Sequence, residues 1–480
     1  MSMFQRLWNS QSEPAASGGS MQIQISTTST NSNHHSLTTG NKRIQKERRL
    51  HEVEMIKDDQ ALNPYTEIQI LQKHTDIVRH LLQIDDERCV SAGDDGIATV
   101  WDLRFGRRIC VLQGHTRPIT CMLVMERAIG YYDDPYLLTA ASDKTMKVWD
   151  IEKGECLQTL TEHQTSVKSL VLMWDGELVC SAGENICVWD RKGRLLCTQE
   201  QLQLCNTDIH LMISIKHDKL VAASEKQLFV YALTDEMDEN QPNRRCNISF
   251  TKKLPPHREL IRCLINVSDT LFASGSLDGT VVLWTTHTIS PTRYFNTVNE
   301  YKGIEKTYPF SIQHMLITDE KYMFAAVGTG FCVYDVIAGK LLAEKLCAHY
   351  SKITYAEFLY NGTFLATCSE DGSIRLWGSR ARFESRVDDN TDEIAPIERF
   401  LGVSKEKLRI MSTDEPLLEP DLLGECLAHS GAVHKLVDFG AEGFVSCGMD
   451  SLVISWKDGV LQSLKRTEIA REMVLGVGDA

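Results

Sequence analysis

Ser91-Ala92-Gly93-Asp94-Asp95-Gly96-Ile97-Ala98-Thr99-Val100-Trp101-Asp102 is a small-residue turn, then an alternating β-branched run, then Trp-Asp. Small residues and Gly permit a tight reversal, and alternation with β-branched residues reads as a half-buried strand. The element recurs. Ala141–Asp150 ends in Trp149, Ser181–Asp190 in Trp189 and Ser274–Trp284 in Trp284. Cys368–Trp377 and Cys447–Trp456 repeat it again, and weaker copies at Tyr231 and Tyr334 carry Tyr in place of Trp. Recurrence at a fixed period is the signature of a repeat architecture.

A histidine precedes six of these copies. His74, His115, His163, His257, His349 and His429 lie 27, 34, 26, 27, 28 and 27 residues before their Trp. The 34 coincides with an insertion over 127–136. Asp95, Asp143, Asp278, Asp371 and Asp450 each stand six residues before theirs. Catalytic His/Asp dyads would occur once. Five copies at one spacing point to a structural role.

These residues resemble the WD40-repeat family over about 65–458. The resemblance implies an all-β propeller of four-stranded blades. In each blade His, Asp, a Ser or Thr, and Trp form one buried hydrogen-bonded set: His74/Asp95/Trp101, His115/Asp143/Trp149, His257/Asp278/Trp284, His349/Asp371/Trp377 and His429/Asp450/Trp456. Eight copies give eight blades; seven stay open, because the Tyr231 and Tyr334 copies lack the set. Residues 65–71 read as an outer strand with no blade of its own. They are expected to pair with the last blade, since an open edge invites aggregation.

The domain reading is a disordered polar segment over 1–60, a propeller over 61–459 and a tail over 460–480 expected to be helical. Thr234–Phe250 and Thr285–Tyr308 read as plain loops. A composition of 42% hydrophobic and 24% charged residues is that of a soluble globular chain. No run of about 18 apolar residues spans a membrane, and no secretory signal is read. The net charge of −14 argues against general nucleic-acid binding. The 15 cysteines lie singly, as expected of reduced cytosolic thiols.

Function is sought where the repeat is broken. Trp377 and His429 are separated by 52 residues, against 14 from Trp101 to His115. The inserted loop, 378–423, contains an apolar island, Ala395–Val403. Its Ile397, Phe400 and Leu401 have helical spacing, and together with Val403 they are candidates to dock into a partner's groove. Leu461 and Leu464 of the tail are further partner-binding candidates. No catalytic or metal-binding residue and no cofactor is implied. The inner-strand stretches 119–124, 167–172 and 261–267 hold no His or acid, so a channel-based enzyme is disfavoured.

Asn63-Pro64-Tyr65-Thr66-Glu67, His74-Thr75-Asp76-Ile77-Val78-Arg79, Ala325-Ala326-Val327-Gly328 and Trp456-Lys457-Asp458-Gly459 are similar to one subfamily of WD-repeat proteins. That resemblance implies a non-catalytic scaffold in a complex with two DENN-domain proteins, acting in autophagy and small-GTPase regulation. It also implies a cytoplasmic protein recruited to the lysosome surface through a PQ-loop amino-acid transporter. The loop 378–423 would make the lysosomal contact, and the tail with the last blade the DENN contact. The alternative is a substrate receptor of a cullin-RING ubiquitin ligase, through Trp101-Asp102-Leu103-Arg104.

Overall fold

The computed structural model describes residues 53–56, 60–125, 135–199, 208–216, 218–236, 245–296, 310–360, 362–381, 395–411 and 416–476. Among them, eight four-stranded antiparallel sheets follow one another; seven have their strands in chain order from the centre outward, and the eighth takes its outermost strand from the start of the chain. In blade 1, Val78–Gln83 is innermost, followed outward by Arg88–Gly93, Ile97–Asp102 and Arg107–Gln113. The inner strands of blades 2 to 8 are Ile119–Met125, Ser169–Met173, Leu211–Ile215, Ile261–Ser268, Ile312–Thr318, Ile353–Leu359 and Val433–Asp438. The chain is therefore an eight-bladed β-propeller.

The ring closes through the N-terminal strand. Glu67–Gln72 pairs with Leu452–Lys457, from Glu67 opposite Lys457 to Gln72 opposite Leu452. Blade 8 thus takes its outer strand from the start of the chain, which leaves no edge open. The strand begins two residues later than its apolar pattern suggests. Tyr65 is instead buried, edge-on to Phe364 and Phe444, and works as a plug between blades 7 and 8.

The core is a series of layers between blades. Second and third strands are almost wholly buried, and successive blades interdigitate on both faces. A two-sided core explains why these strands read as continuous apolar runs instead of a clean alternation.

Two expectations need correction. Residues 53–56 fall inside the segment expected to be disordered, yet Ile56 packs on the blade 6–7 core. The buried Arg375 donates to the Glu54 carbonyl at 2.9 Å, and Lys345 pairs with the Glu54 carboxylate at 2.5 Å. Polar composition misleads here because a cation on the propeller supplies the anchor. Residues 1–52 and 57–59 of that segment lie outside the described residues. Nor are Thr234–Phe250 and Thr285–Tyr308 plain loops. Gln227–Glu236 and Arg245–Lys253 continue as one long hairpin, and Pro291–Asn296 is the outer strand of blade 5.

Candidate partner-binding surfaces

The recurring His/Asp/Trp set can be separated from function by its geometry. In blade 1 the Trp101 indole N–H donates to Ser91 Oγ at 2.8 Å. Ser91 lies 2.8 Å from His74 Nε2, and His74 Nδ1 lies 2.9 Å from Asp95. With Nδ1 carrying its proton toward the carboxylate, Nε2 accepts from the hydroxyl, and every polar atom of the chain is satisfied. The hydroxyl, not the histidine itself, meets the indole. Thr139 serves His115 and Trp149 in blade 2, and Ser446 serves His429 and Trp456 in blade 8. Blades 5 and 7 add a relay. Thr280 stands between His257 and Asp278, and Ser373 between His349 and Asp371.

Each Asp also accepts a backbone N–H from the residue after its His, as Thr75 donates to Asp95 at 3.2 Å. The set therefore ties the turn between second and third strands to the segment entering the blade. Burial disfavours the Asp371 anion, but hydrogen bonds from His349 and Ser373 outweigh it and hold the carboxyl well below the usual range. Burial pushes the His115 and His349 imidazoles down, against the pull of their aspartates. Neutral imidazoles locked at both nitrogens are struts.

Blade 3 keeps the Trp189–Ser181–His163 chain but has no Asp; His163 Nδ1 finds only Cys187 Sγ, at 4.0 Å. Blades 4 and 6 place buried Tyr231 and Tyr334 against the rings of Phe250 and Phe295.

The loop island does not face outward. Pro396–Leu401 forms a helix, α1, ended by Gly402 in the left-handed conformation, and Lys405–Ile410 forms α2, capped by Ser404. Ile397 and Phe400 are fully buried and Leu401 nearly so; Val403 is half-buried beside them. All four join Leu408 and Met411 in the core shared by blades 6 and 7. The Phe400 ring stands edge-on to Phe358, with centroids 5.8 Å apart. Leu418 then bridges Ala343 of blade 6, and Lys340 donates to the Met411 carbonyl at 2.7 Å. The apolar helical face exists as expected, but the groove it fills belongs to its own propeller. Helical spacing shows that a face is apolar, not whose surface covers it. The outward side chains of the described loop include Ile410, which is 79% exposed, and Leu417.

The tail is helical over Gly459–Gly476 (α3), with Asp458 accepting the Val460 and Leu461 backbone N–H groups. Arg466 forks onto Glu67 of the closing strand, and Lys465 pairs with Glu442. Leu461 is half-buried and Leu464 exposed, as is Val460. Between this helix, blade 8 and the Leu103–Phe105 turn of blade 1 opens a cleft of 650 Å³. Its floor includes Leu103, Phe439 and Val445, and its rim Arg104, Lys465 and Glu468. Phe105 stands 61% exposed on that rim, with the Arg104 and Arg107 guanidiniums over its ring at 5.3 and 5.0 Å. An exposed aromatic flanked by arginines beside an apolar cleft has the composition of an interface hot spot. Sequence reasoning missed Phe105. Its one signal was a large aromatic in a turn that polar residues would fill.

Comparisons with known proteins agree with this architecture. The family model for the WDR41 β-propeller matches residues 37–466. WD repeat-containing protein 41 of Homo sapiens is 32% identical over 425 residues, 86% of this chain and 91% of that protein. Its Mus musculus counterpart is 33% identical over 428 residues, with the same coverage of both chains. Pre-mRNA-processing factor 19 homolog 2 of Arabidopsis thaliana is 28% identical over 181 residues, 35% of this chain and 32% of that one. Among solved structures, the computationally designed Ika8 protein superposes with a TM-score of 0.57 at 21% identity, covering 81% of this chain and 98% of that one, a likeness of fold alone. A match that runs from before the closing strand into α3 takes in every blade, and the chain belongs to the WDR41 family of WD-repeat β-propellers.

Proposed function

We propose that this chain is a non-catalytic scaffold that holds a multiprotein complex through the cleft at the blade 8/blade 1 seam and α3. The observation that carries the reading is the exposed Phe105, with its two arginines, on the rim of an apolar cleft. The His/Asp pairs, by contrast, are consumed as internal struts. Resemblance to the family supplies the finer identity: two DENN-domain proteins as partners, and a role in autophagy and small-GTPase regulation. The protein would be cytoplasmic, recruited to the lysosome surface by a PQ-loop amino-acid transporter. No helix among the described residues is long and apolar enough to cross a membrane, which fits recruitment through such a partner. The outward part of the loop 378–423, including Ile410, is then the candidate lysosomal contact.

The test is affinity purification of the tagged full-length chain, with mass spectrometry of what accompanies it. Two DENN-domain proteins should co-purify in near-stoichiometric amounts, and Phe105→Ala combined with Leu464→Asp should remove them without changing the melting temperature. The ubiquitin-ligase alternative rests on Arg104, which is exposed at the same rim. Recovery of a cullin adaptor that is lost on Arg104→Ala would replace the scaffold reading.

A further inference from the structure

The inner strands ring the central channel, and their pairing registers make equivalent positions recognisable. In each blade one inner residue sits opposite the position just after the Ser or Thr of the second strand, or its counterpart. That residue is His80 in blade 1, opposite Ala92, and His314 in blade 6, opposite Ala326. It is Tyr355 in blade 7, opposite Cys368, and Lys435 in blade 8, opposite Cys447. Blades 2 to 5 offer only small or apolar residues there, such as Cys121 and Leu211. Four consecutive blades (6, 7, 8 and 1) thus carry His, Tyr or Lys at this position, as an arc. Residues 119–124, 167–172 and 261–267, which hold no His, Tyr or acid, all lie in the other half.

The arc is connected but not satisfied. The His314 and Tyr355 rings lie 4.2 Å apart, and Tyr355 donates to Glu357 at 3.0 Å. The Lys435 ammonium sits 6.0 Å from the Tyr355 ring centroid. No described hydrogen bond or ion pair within 4 Å engages the ammonium of the partly buried Lys435. The buried His314 Nδ1 also has no partner. Burial lowers the Lys435 ammonium, and burial together with the Lys435 charge pushes His80 down to about 4 and His314 to about 3. A partly desolvated ammonium and a buried imidazole nitrogen without a partner carry a cost that a ligand in the channel would offset.

Charge narrows the acceptor. Glu357 lies within reach of Lys435's field, and burial pushes its carboxyl up. Burial favours the neutral Glu357 carboxyl, which leaves the single positive charge of Lys435 to be matched by one negative charge and disfavours a dianion. We propose that the central channel binds a small-molecule carboxylate between Lys435 and His314, on the arc formed by blades 6, 7, 8 and 1.

Bound anion stabilises the protonated forms of its neighbours, so binding takes up protons wherever the free groups are partly deprotonated. The groups facing one another are His80, Arg79, Asp94 and His434 from blades 1 and 8, Glu357 from blade 7, His314 from blade 6, and the thiol of Cys447.

The probes are ¹³C-labelled acetate and inorganic phosphate, titrated into the full-length chain at constant ionic strength. Binding is read by NMR of the probe, and proton uptake by calorimetry in buffers of different ionisation enthalpy. At pH 7.5, where acetate is fully ionised and phosphate is mostly the dianion, acetate should bind saturably at one site, with proton uptake, and more tightly than phosphate. Lys435→Met should weaken it at least tenfold, as expected for loss of a charged hydrogen-bond partner, while Lys435→Arg and the surface change Lys465→Met retain it. No saturable acetate binding, tighter phosphate binding, or equal binding by a folded Lys435→Met chain would each overturn the proposal. If Lys435→Met does not fold, His314→Gln and proton uptake by the wild-type chain decide, and binding without uptake overturns it.

Discussion

Phe400→Ala separates an island that staples the propeller from one that awaits a partner. The Phe400 side chain is fully buried, with Phe358 at its edge and Ile397, Leu401 and Leu408 in the same cluster. Truncating a buried Phe to Ala costs about 3–5 kcal/mol when the surroundings do not collapse into the space. The cost cannot exceed the free energy that holds residues 395–411 down, because the loop can detach while the blades stay closed. Two readouts follow. In hydrogen exchange, peptides over 395–411 should lose protection by about two orders of magnitude or more, since 1.4 kcal/mol is about tenfold. Exchange of Phe364–Ser369 and Ile374–Gly378 should rise less, because their hydrogen bonds run within blade 7. In global unfolding the midpoint should fall by only a few degrees, as the entropy of unfolding so large a domain spreads the loss thinly. Unchanged protection over 395–411, together with weakened partner binding, would refute the packing argument and return the island to a partner's groove.

In blade 8, Ser446→Ala leaves the Trp456 N–H and His429 without their shared hydroxyl. It should destabilise by about 1–3 kcal/mol in urea unfolding, and Ser446→Thr should restore stability, because Thr139 and Thr367 fill the same place elsewhere. His163 is pushed down to about 4 by burial, with no Asp to oppose it. The folded state binds this proton less readily than the unfolded chain, whose imidazole titrates near 6.5. The stability contributed by His163 is therefore complete above about pH 6.5 and is lost as pH falls toward 4, by at most about 3 kcal/mol. His163→Asn should flatten that part of the curve, and an unchanged slope between pH 7 and 4.5 would show that His163 does not titrate there. Deleting residues 1–52 should leave a monomer on size exclusion, whereas deleting 1–72 removes the closing strand and should yield aggregates.

The propeller was legible because its regularities are local. His, turn Asp and Trp keep their spacing since one hydroxyl must meet both an imidazole and an indole in each blade that carries the set, and Ser91, Thr139, Ser274, Thr367 and Ser446 do so. The closing strand was legible as well, because an outer strand ahead of the first His has only one edge to fill. Ile397, Phe400 and Leu401 were legible as a helical apolar face, but not as to what covers it. That depends on a surface assembled from Phe324, Phe331 and Leu365, which belong to two other stretches of chain. Arg375 shows the same limit. A lone arginine in a strand gives no hint that the Glu54 carbonyl, 321 residues earlier in the chain, will meet it.

The channel arc shows why a regular scaffold can hide a site. Each inner strand taken alone carries a few unremarkable polar residues, and three chosen stretches carry no His or acid. His80, His314, Tyr355 and Lys435 converge only because the ring brings blade 1 beside blade 8, so that His80 and Lys435 become neighbours across 355 residues of sequence. Blade packing is satisfied by Ala, Gly and Cys on the second strands opposite them. The inner positions are therefore free of the core's demand for apolar volume, and blades 2 to 5 show that Cys or Leu there builds the same ring. Nothing in the fold requires a lysine facing a tyrosine and a histidine at that level. A partly desolvated ammonium without a partner costs stability, and the small or apolar residues of blades 2 to 5 avoid that cost. Its presence on one side alone is what distinguishes a ligand site from a filler of the channel.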